Sequence, residues 1–186
     1  MLRTSLLPFQ DGGVRLRRLR PDDASAYAEG TKDGEVRRYG HLPEPEYTPE
    51  SVREMITREV NPGLERGDLA VLAIAQAASD AFAGSLVLFD VNEHSAEVGF
   101  WLHPAHRGKG ITAIALRMAA RFASHSGLQE LTARTLTDNI ASQRVLETVG
   151  FVQTGIAKDT TPSGQQLDLL HYARRFTPLS PATSEN

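Results

Sequence analysis

The sequence predicts an α/β (α+β) domain built on a mixed β-sheet. Its hydrophobic pattern gives strands and helices in the order β-α-α-β-β-β-α-β-α-β-β. Three strand candidates, residues 69–76, 81–89 and 95–102, follow one another with short turns between them, and short connections indicate antiparallel pairing. Residues 96–135 then have the strand, helix, strand pattern of a parallel crossover. The sheet is therefore predicted to contain both antiparallel and parallel strand pairs.

Chain length and composition predict one domain. The 186 residues are 40% hydrophobic and 23% charged, which is ordinary for a globular protein and sufficient for a core without metal or disulfide support. No internal repeat or long linker divides the chain. We expect a flexible segment over residues 1–12, a single domain over 13–176, and a flexible tail over 177–186, where Pro, Ser and Thr are frequent.

Charge and residue usage disfavour several classes of protein. A net charge of −3 gives no general attraction for nucleic acid. The absence of cysteine excludes disulfides, thiolate nucleophiles and Cys-ligated zinc, and the six histidines lack metal-ligand spacing. No stretch approaches the roughly 20 apolar residues of a membrane helix, and the start lacks a signal-peptide core. We expect a cytoplasmic protein that has no metal and binds neither nucleic acid nor membrane.

The first half of the chain contains one strand and two helices before the three-strand run. Residues 14–19 alternate like a strand, and Pro-Asp-Asp opens a helix over residues 21–30. Residues 34–47 are predicted to be irregular. A second helix starts at Thr48 and carries apolar residues at helical spacing until Pro62 ends it.

The second half alternates helices and strands. A helix over residues 111–124 has one apolar face, and Gly127 closes it. The remaining elements are predicted as a strand over 130–135, a helix over 140–149, and a final strand pair over 151–156 and 167–176. The final pair surrounds a turn at residues 161–164.

Residues 103–112 have the pattern of an anion site. They lie between the strand ending near Leu102 and the helix beginning at Ile111, with Gly108 and Gly110 on either side of Lys109. Unpaired N–H groups at the positive end of a helix dipole favour phosphate. The Walker A and Rossmann glycine patterns are both absent. The alternative to an anion site is a glycine turn with exposed basic residues.

Four segments stand in register along the second half of the chain: Ala96-Glu-Val-Gly-Phe-Trp-Leu102, Arg107-Gly-Lys-Gly-Ile-Thr112, Asp138-Asn-Ile-Ala-Ser142 and Val149-Gly-Phe151. Together they resemble the GNAT family of acyltransferases, in its RimJ/RimL-like branch of N-acetyltransferases. The opening Val14-Arg-Leu-Arg-Arg-Leu-Arg-Pro-Asp-Asp23 is similar to the family's first strand and helix start. The resemblance implies a single GNAT-like domain with a mixed, mostly antiparallel central sheet flanked by helices.

The resemblance also implies a site for acetyl-CoA as cosubstrate. The family's pyrophosphate loop reads Q/R-x-x-G-x-G/A, and Thr112 departs from its last position. The cofactor-binding residues implied are Trp101, Leu102, His103, Arg107, Gly108, Lys109, Gly110, Ile111, Thr112, Asn139 and Ser142. Backbone N–H groups of residues 107–112 would hold the pyrophosphate, and the strand end at Leu102 would pair with the pantetheine arm. Asn139 would contact that arm, and it also suits a helix N-cap.

Acetyl transfer to an amine needs a base, an oxyanion donor and a proton donor for the thiolate. Relatives often place a tyrosine where this chain has Leu146, so Ser142 is predicted to be the proton donor, with a capping role as its alternative. Glu97 is a candidate base acting through water; the alternative is an ion pair with an arginine. His41, Glu44 and Glu46 lie in the substrate-facing segment and remain open candidates for base or amine recognition.

The function predicted is acetyl transfer from acetyl-CoA to a primary amine by direct attack in a ternary complex. The acceptor is a protein N-terminal amine or a small-molecule amine. The competing prediction is a non-catalytic acyl-CoA-binding sensor or interaction module, which the missing tyrosine allows. A homodimer is possible, since relatives often form dimers.

Overall fold

One eight-stranded sheet organises the chain, which a computed structural model describes over residues 1–176. The strands are β1 (Phe9–Asp11), β2 (Val14–Arg18), β3 (Ala70–Gln76), β4 (Phe82–Phe89), β5 (Ser95–Leu102), β6 (Glu130–Leu136), β7 (Val152–Thr160) and β8 (Gln166–Arg175). Their order across the sheet is β1-β2-β3-β4-β5-β6-β8-β7. Only the β5–β6 pair among these is parallel. The predicted mixed, mostly antiparallel sheet is therefore confirmed.

Six α-helices flank the sheet over the described residues. They are α1 (Ala24–Gly30), α2 (Gly34–Tyr39), α3 (Pro49–Met55), α4 (Asn61–Arg66), α5 (Ile111–His125) and α6 (Ile140–Thr148). Short 3-10 turns precede β1, α1 and α5, and a π-helical turn, Ile56–Val60, joins α3 to α4. No helix in this part of the chain is long and apolar enough to cross a membrane.

Each face of the sheet carries its own hydrophobic core. On one face, α5 buries Ala115, Met118 and Phe122, which recur at helical spacing, against the strands. On the other face, α1 and α3 cover a smaller core that includes Tyr27 and Trp101. The gap between β5 and β6 therefore opens in a sheet that carries a hydrophobic core on each face.

The N-terminal segment corrects one expectation. Residues 1–12 were predicted to be loose, but β1 pairs with β2, and Leu2 is 5% exposed. Phe9 packs beside Phe122 of α5 with ring centroids 6.0 Å apart. These apolar contacts hold the segment against the larger core. The tail expected over residues 177–186 lies outside the described residues.

Two helix predictions were also wrong. Residues 34–47 were predicted to be irregular, but α2 forms there because the side chain of Asp33 accepts hydrogen bonds from the first-turn N–H groups of Glu35 and Val36. The second helix continues past Pro62 to Arg66. Pro62 lies directly after the π-helical turn, in the first turn of α4, and such a change of helical pitch accommodates a residue without an N–H inside a helix.

Candidate functional site

The site begins where β5 and β6 diverge. Their parallel pairing covers only Ser95 to Glu97 on β5. The carbonyl of Ala96 faces β6, since it accepts a hydrogen bond from Oγ1 of Thr132. Backbone groups alternate between the two neighbours of a strand, so those of Phe100 and Leu102 also point toward β6. Within residues 1–176 no strand pairs with them there, so an added extended chain could use their N–H and C=O groups.

A cleft of about 280 Å³ runs through this gap. Its lining is largely aromatic and aliphatic, and it includes the strand residues Val98, Gly99, Phe100 and Trp101. The polar residues in its lining include Glu97, Arg134, Asn139, Ser142 and His41. A mostly apolar cleft with a few convergent polar groups is the usual form of a small-molecule site.

The loop from Arg107 to Gly110 lies between the end of β5 and the start of α5 in the chain. Gly108 and Gly110 have φ angles of +75° and +70°, a left-handed conformation that side chains disfavour. Gly110 is the N-cap of α5 and supplies no side-chain cap. Within the described chain, the N–H groups of Ile111 and Thr112 meet no acceptor. A Cβ at either glycine would meet no heavy atom within 4 Å, so open space lies beside these donors.

Other side chains of this loop have different environments. Lys109 is exposed and Thr112 is half-buried, whereas Ile111 packs into the larger core, which leaves its backbone N–H as the group available to a ligand. His103 accepts a hydrogen bond at Nδ1 from the N–H of Ala105, 3.3 Å away, and so shapes the turn before the loop.

Arg107 points its side chain at the start of α2. Its guanidinium pairs with Asp33 and, at 2.9 Å, with Glu35. The Arg107 hydrogen bond is the largest cause that lowers the pKa of Asp33. Two carboxylates offset the charge of this arginine, so the backbone of the loop is better placed than the guanidinium to receive an anion.

Trp101, a predicted cofactor-binding residue, lines the cleft but directs its ring into the smaller core. It is 8% exposed and packs edge-on to Tyr27, with ring centroids 5.1 Å apart. Its ring also lies 5.7 Å from that of Phe82. Leu102 is half-buried and packs against the opposite core, as alternation along a strand requires. Near these two residues, backbone groups are what the strand offers to a ligand.

Asn139 and Ser142 lie together at the start of α6. Asn139 is 8% exposed, and its Oδ1 accepts a hydrogen bond from the N–H of Ser142. The capping role is therefore present. In residues 1–176 neither Nδ2 of Asn139 nor Oγ of Ser142 has a protein partner, and both residues line the cleft beside buried Leu146.

Glu97 forms an ion pair with Arg134. The sequence left such a pair open as the alternative to a catalytic role for Glu97. Nε of Arg134 lies 2.9 and 3.0 Å from the two carboxylate oxygens of Glu97. Arg134 also contacts Asp159 on β7 at 2.8 Å. Burial raises the pKa of Glu97, and Arg134 opposes that effect only in part. A raised pKa suits a base, but both carboxylate oxygens are already engaged.

His41 is the residue whose importance the sequence pattern left open. It has a φ angle of +46° and lines both the cleft and a second cavity of about 590 Å³. Its Nε2 is enclosed and has no hydrogen-bond partner within the described residues. Burial is the main cause that lowers the pKa of His41, followed by the charge of Arg134. No local motif could predict this environment of His41, because Arg134 is distant from it in sequence.

No metal centre accompanies these groups in the described structure, where no three His, Asp or Glu side chains could hold one ion together. Residues 14–152 match the family described as Acetyltransferase (GNAT) domain. The chain belongs to the GNAT family. The predicted membership is confirmed, and the eight-stranded, helix-flanked sheet has the GNAT fold.

The GNAT assignment agrees with individual similar proteins. The chain is 35% identical over 116 residues to the probable N-acetyltransferase YjcK of Bacillus subtilis (strain 168), covering 60% of this chain and 64% of that protein. The chain therefore spans less than two thirds of that relative. RimJ of Mycobacterium smegmatis, solved with CoA-disulfide, superposes with a TM-score of 0.77 at 23% identity over 87% of this chain and 81% of that chain. RimL, a ribosomal L7/L12 α-N-protein acetyltransferase solved with coenzyme A, superposes with a TM-score of 0.78 at 19% identity. The superposition covers 91% of this chain and 98% of that chain.

Proposed function

We propose that this GNAT protein is an acetyl-CoA-dependent N-acetyltransferase that acts on a primary amine by direct attack in a ternary complex. The observation that carries the proposal is the gap between β5 and β6, whose cleft includes polar residues in its lining, together with the free N–H groups at the start of α5, the helix that follows β5 in the chain. The N-acetyltransferase relatives and the coenzyme A ligands of RimJ and RimL support the choice of cosubstrate.

In this proposal the loop over residues 107–112 binds the diphosphate of acetyl-CoA through its backbone. The N–H groups at the first turn of α5 add the positive end of the helix dipole. Gly108 and Gly110 permit the left-handed turns and keep the space beside those donors open. Lys109 adds a positive charge at the exposed surface, and the hydroxyl of Thr112 is a further donor.

The diverging strand receives the pantetheine arm in the same proposal. Backbone groups of Phe100 and Leu102 point into the gap and would pair with the amides of the arm as an added strand does. Nδ2 of Asn139 would donate from the opposite side. Oδ1 of Asn139 is already used to cap α6, so the cap fixes the direction of the donor.

Acetyl-CoA supplies an activated thioester, and the protein contributes position, charge and proton transfer. The N–H of Phe100 is the proposed donor to the oxyanion that forms on the acetyl carbonyl. Ser142 is the proposed proton donor to the departing thiolate, since its hydroxyl lines the cleft and is free of protein partners within residues 1–176. Glu97 stays a predicted base, and its pairing with Arg134 favours a role in positioning that arginine.

A screen for free CoA release tests the function. The purified chain is incubated with acetyl-CoA and, in separate wells, N-terminal peptides, polyamines and aminoglycosides, with thiol release as the readout. The proposal expects release with at least one amine and an acetylated product of matching mass.

The competing function is a sensor that binds acyl-CoA without catalysis, and buried Leu146 beside the cleft favours it, because a leucine donates no proton. A sensor would bind acetyl-CoA and release no CoA with any amine in the screen.

A further inference from the structure

His41 stands at the junction of two cavities. The first is the cleft between β5 and β6, and the second opens on the side of the segment between α2 and α3. Both cavities are lined by His41, Leu42, Pro43 and Tyr47. A thioester held in the cleft and an acceptor entering through the second cavity would therefore meet beside this segment.

The ring of His41 is not engaged by the protein. Nε2 is enclosed without a hydrogen-bond partner in residues 1–176, whereas Nδ1 is not enclosed and also makes no hydrogen bond there. A half-enclosed imidazole with an unpaired edge is poorly solvated when charged, so the neutral ring is favoured. The backbone at this position is left-handed, which β-branched side chains tolerate poorly and His, Asn and Gly accept more readily.

Charged groups surround His41 from several elements. In the cleft they are Glu59, Glu97 and Arg134, and in the second cavity they are Lys32, Arg37, Glu44 and Glu46. The tyrosines that line the cleft are Tyr27, Tyr39 and Tyr47. Burial lowers the pKa of His41, and the nearby charge of Arg134 lowers it further. The ring is therefore neutral near pH 7, the state that a proton acceptor requires.

Other titratable groups of the cleft are less suited to this task. Glu97 gives both carboxylate oxygens to Arg134. The hydroxyl of Tyr47 accepts a hydrogen bond from the N–H of Glu44, and burial raises its pKa. Burial also raises the pKa of Tyr27 above the range in which it could act near neutral pH.

We propose that His41 is the general base that takes a proton from the ammonium form of the acceptor, which enters through the second cavity. This proposal rests on the proposed acetyltransferase function. Nδ1 accepts one proton from R–NH3+, which leaves R–NH2. The amine nitrogen then forms a bond to the acetyl carbon, the C–S bond breaks, and the second nitrogen proton goes to the thiolate. The products are the acetamide, CoA–SH and a protonated His41 that releases its proton to solvent.

The test uses His41→Asn, which tolerates the left-handed backbone but does not titrate near pH 7. With an acceptor that carries an α-amino group, we expect kcat at pH 7 to fall by about 10²-fold or more. In the plot of kcat against pH, the limb on the acid side should also move to higher pH. We expect it below the ordinary histidine pKa in the original protein, and in the variant near the pKa of the amine, about 7.7–8.0. A purely structural role would lower kcat without moving this limb.

Two further variants make the outcome decisive. His41→Gly keeps the backbone conformation and leaves space for free imidazole, so added imidazole should restore part of the lost rate. His94→Asn changes an exposed histidine in the β4–β5 turn and should leave rate and pH profile unchanged. Calorimetry with acetyl-CoA should give the same Kd for His41→Asn as for the original protein, which also shows that the variant is folded.

The outcomes separate this proposal from the proposed function. CoA release by the original protein together with an unchanged kcat and pH profile in His41→Asn overturns the role of His41 and leaves the acetyltransferase intact. A lowered kcat with an unmoved acid limb and no imidazole rescue overturns it as well. If the original protein releases no CoA with any amine, the acetyltransferase proposal fails, and the role of His41 fails with it.

Discussion

The backbone N–H of Ser142 donates a hydrogen bond to Oδ1 of Asn139, 3.2 Å away, so the cap of α6 holds two proposed functional side chains in a fixed relation. The same contact that starts the helix therefore fixes the Asn139 side chain, and both residues line the cleft. Structural and functional roles coincide here, and variants must be chosen to separate them.

Substitution of Asn139 can separate the cap from the ligand contact. Asn139→Ala removes both, so we expect a loss of about 1 kcal/mol in unfolding free energy and weaker acetyl-CoA binding. Asn139→Asp keeps an oxygen that can accept the Ser142 N–H but removes the amide donor. Urea unfolding and calorimetry should show near-original stability with weakened binding in Asn139→Asp. Unaltered binding in both variants would remove Asn139 from the site.

Ser142→Ala tests the proton donor. The cap should survive, because the backbone of residue 142 makes that hydrogen bond. We expect kcat to fall by about 10²-fold, in the range typical of a lost general acid, while the Kd for acetyl-CoA stays within about twofold. Steady-state rates of CoA release and calorimetry measure the two quantities. A variant with full kcat would show that the thiolate takes its proton elsewhere.

Glu97→Gln tests the buried ion pair through pH. Because burial raises the pKa of Glu97 in the folded state, that state binds the proton more tightly than the unfolded chain. The contribution of Glu97 to stability therefore decreases as the pH rises from about 4.5 through the raised pKa. Urea unfolding at pH 4.5 and pH 7.5 should show Glu97→Gln gaining stability relative to the original protein at the higher pH. If the difference in unfolding free energy between the variant and the original protein is the same at both pH values, the raised pKa assigned to buried Glu97 is contradicted.

Local patterns predicted the elements that position the site. The strand before the loop, the glycines at Gly108 and Gly110, and the apolar face of α5 are all encoded within a few residues, so their arrangement could be inferred from the sequence. The parallel crossover followed from the strand, helix, strand pattern of residues 96–135. The cap at Asn139 followed from residue type and position.

Long-range contacts could not be predicted in the same way. Arg107 and Asp33 are 74 residues apart, and nothing local in either segment indicates their pairing. The Arg134 partner of Glu97 is 37 residues away, although an ion pair was an open alternative. The edge-on packing of Trp101 against Tyr27 is a further long-range contact of this kind. These outcomes depend on how the sheet brings distant strands together.

The most direct test of the central claim is calorimetric titration of acetyl-CoA into Gly110→Trp and a matched variant, Gly127→Trp. Both glycines have positive φ angles, +70° and +93°, and neither would place a Cβ within 4 Å of another heavy atom. Each substitution should therefore cost similar stability, about 1–2 kcal/mol. Gly110 lies at the start of α5 beside the free N–H groups, whereas Gly127 follows its other end. We predict that Gly110→Trp weakens binding by at least about tenfold, a change of about 1.4 kcal/mol, while Gly127→Trp binds like the original protein. An equal Kd for all three proteins, or no binding by the original one, would contradict the assignment of this loop to acetyl-CoA.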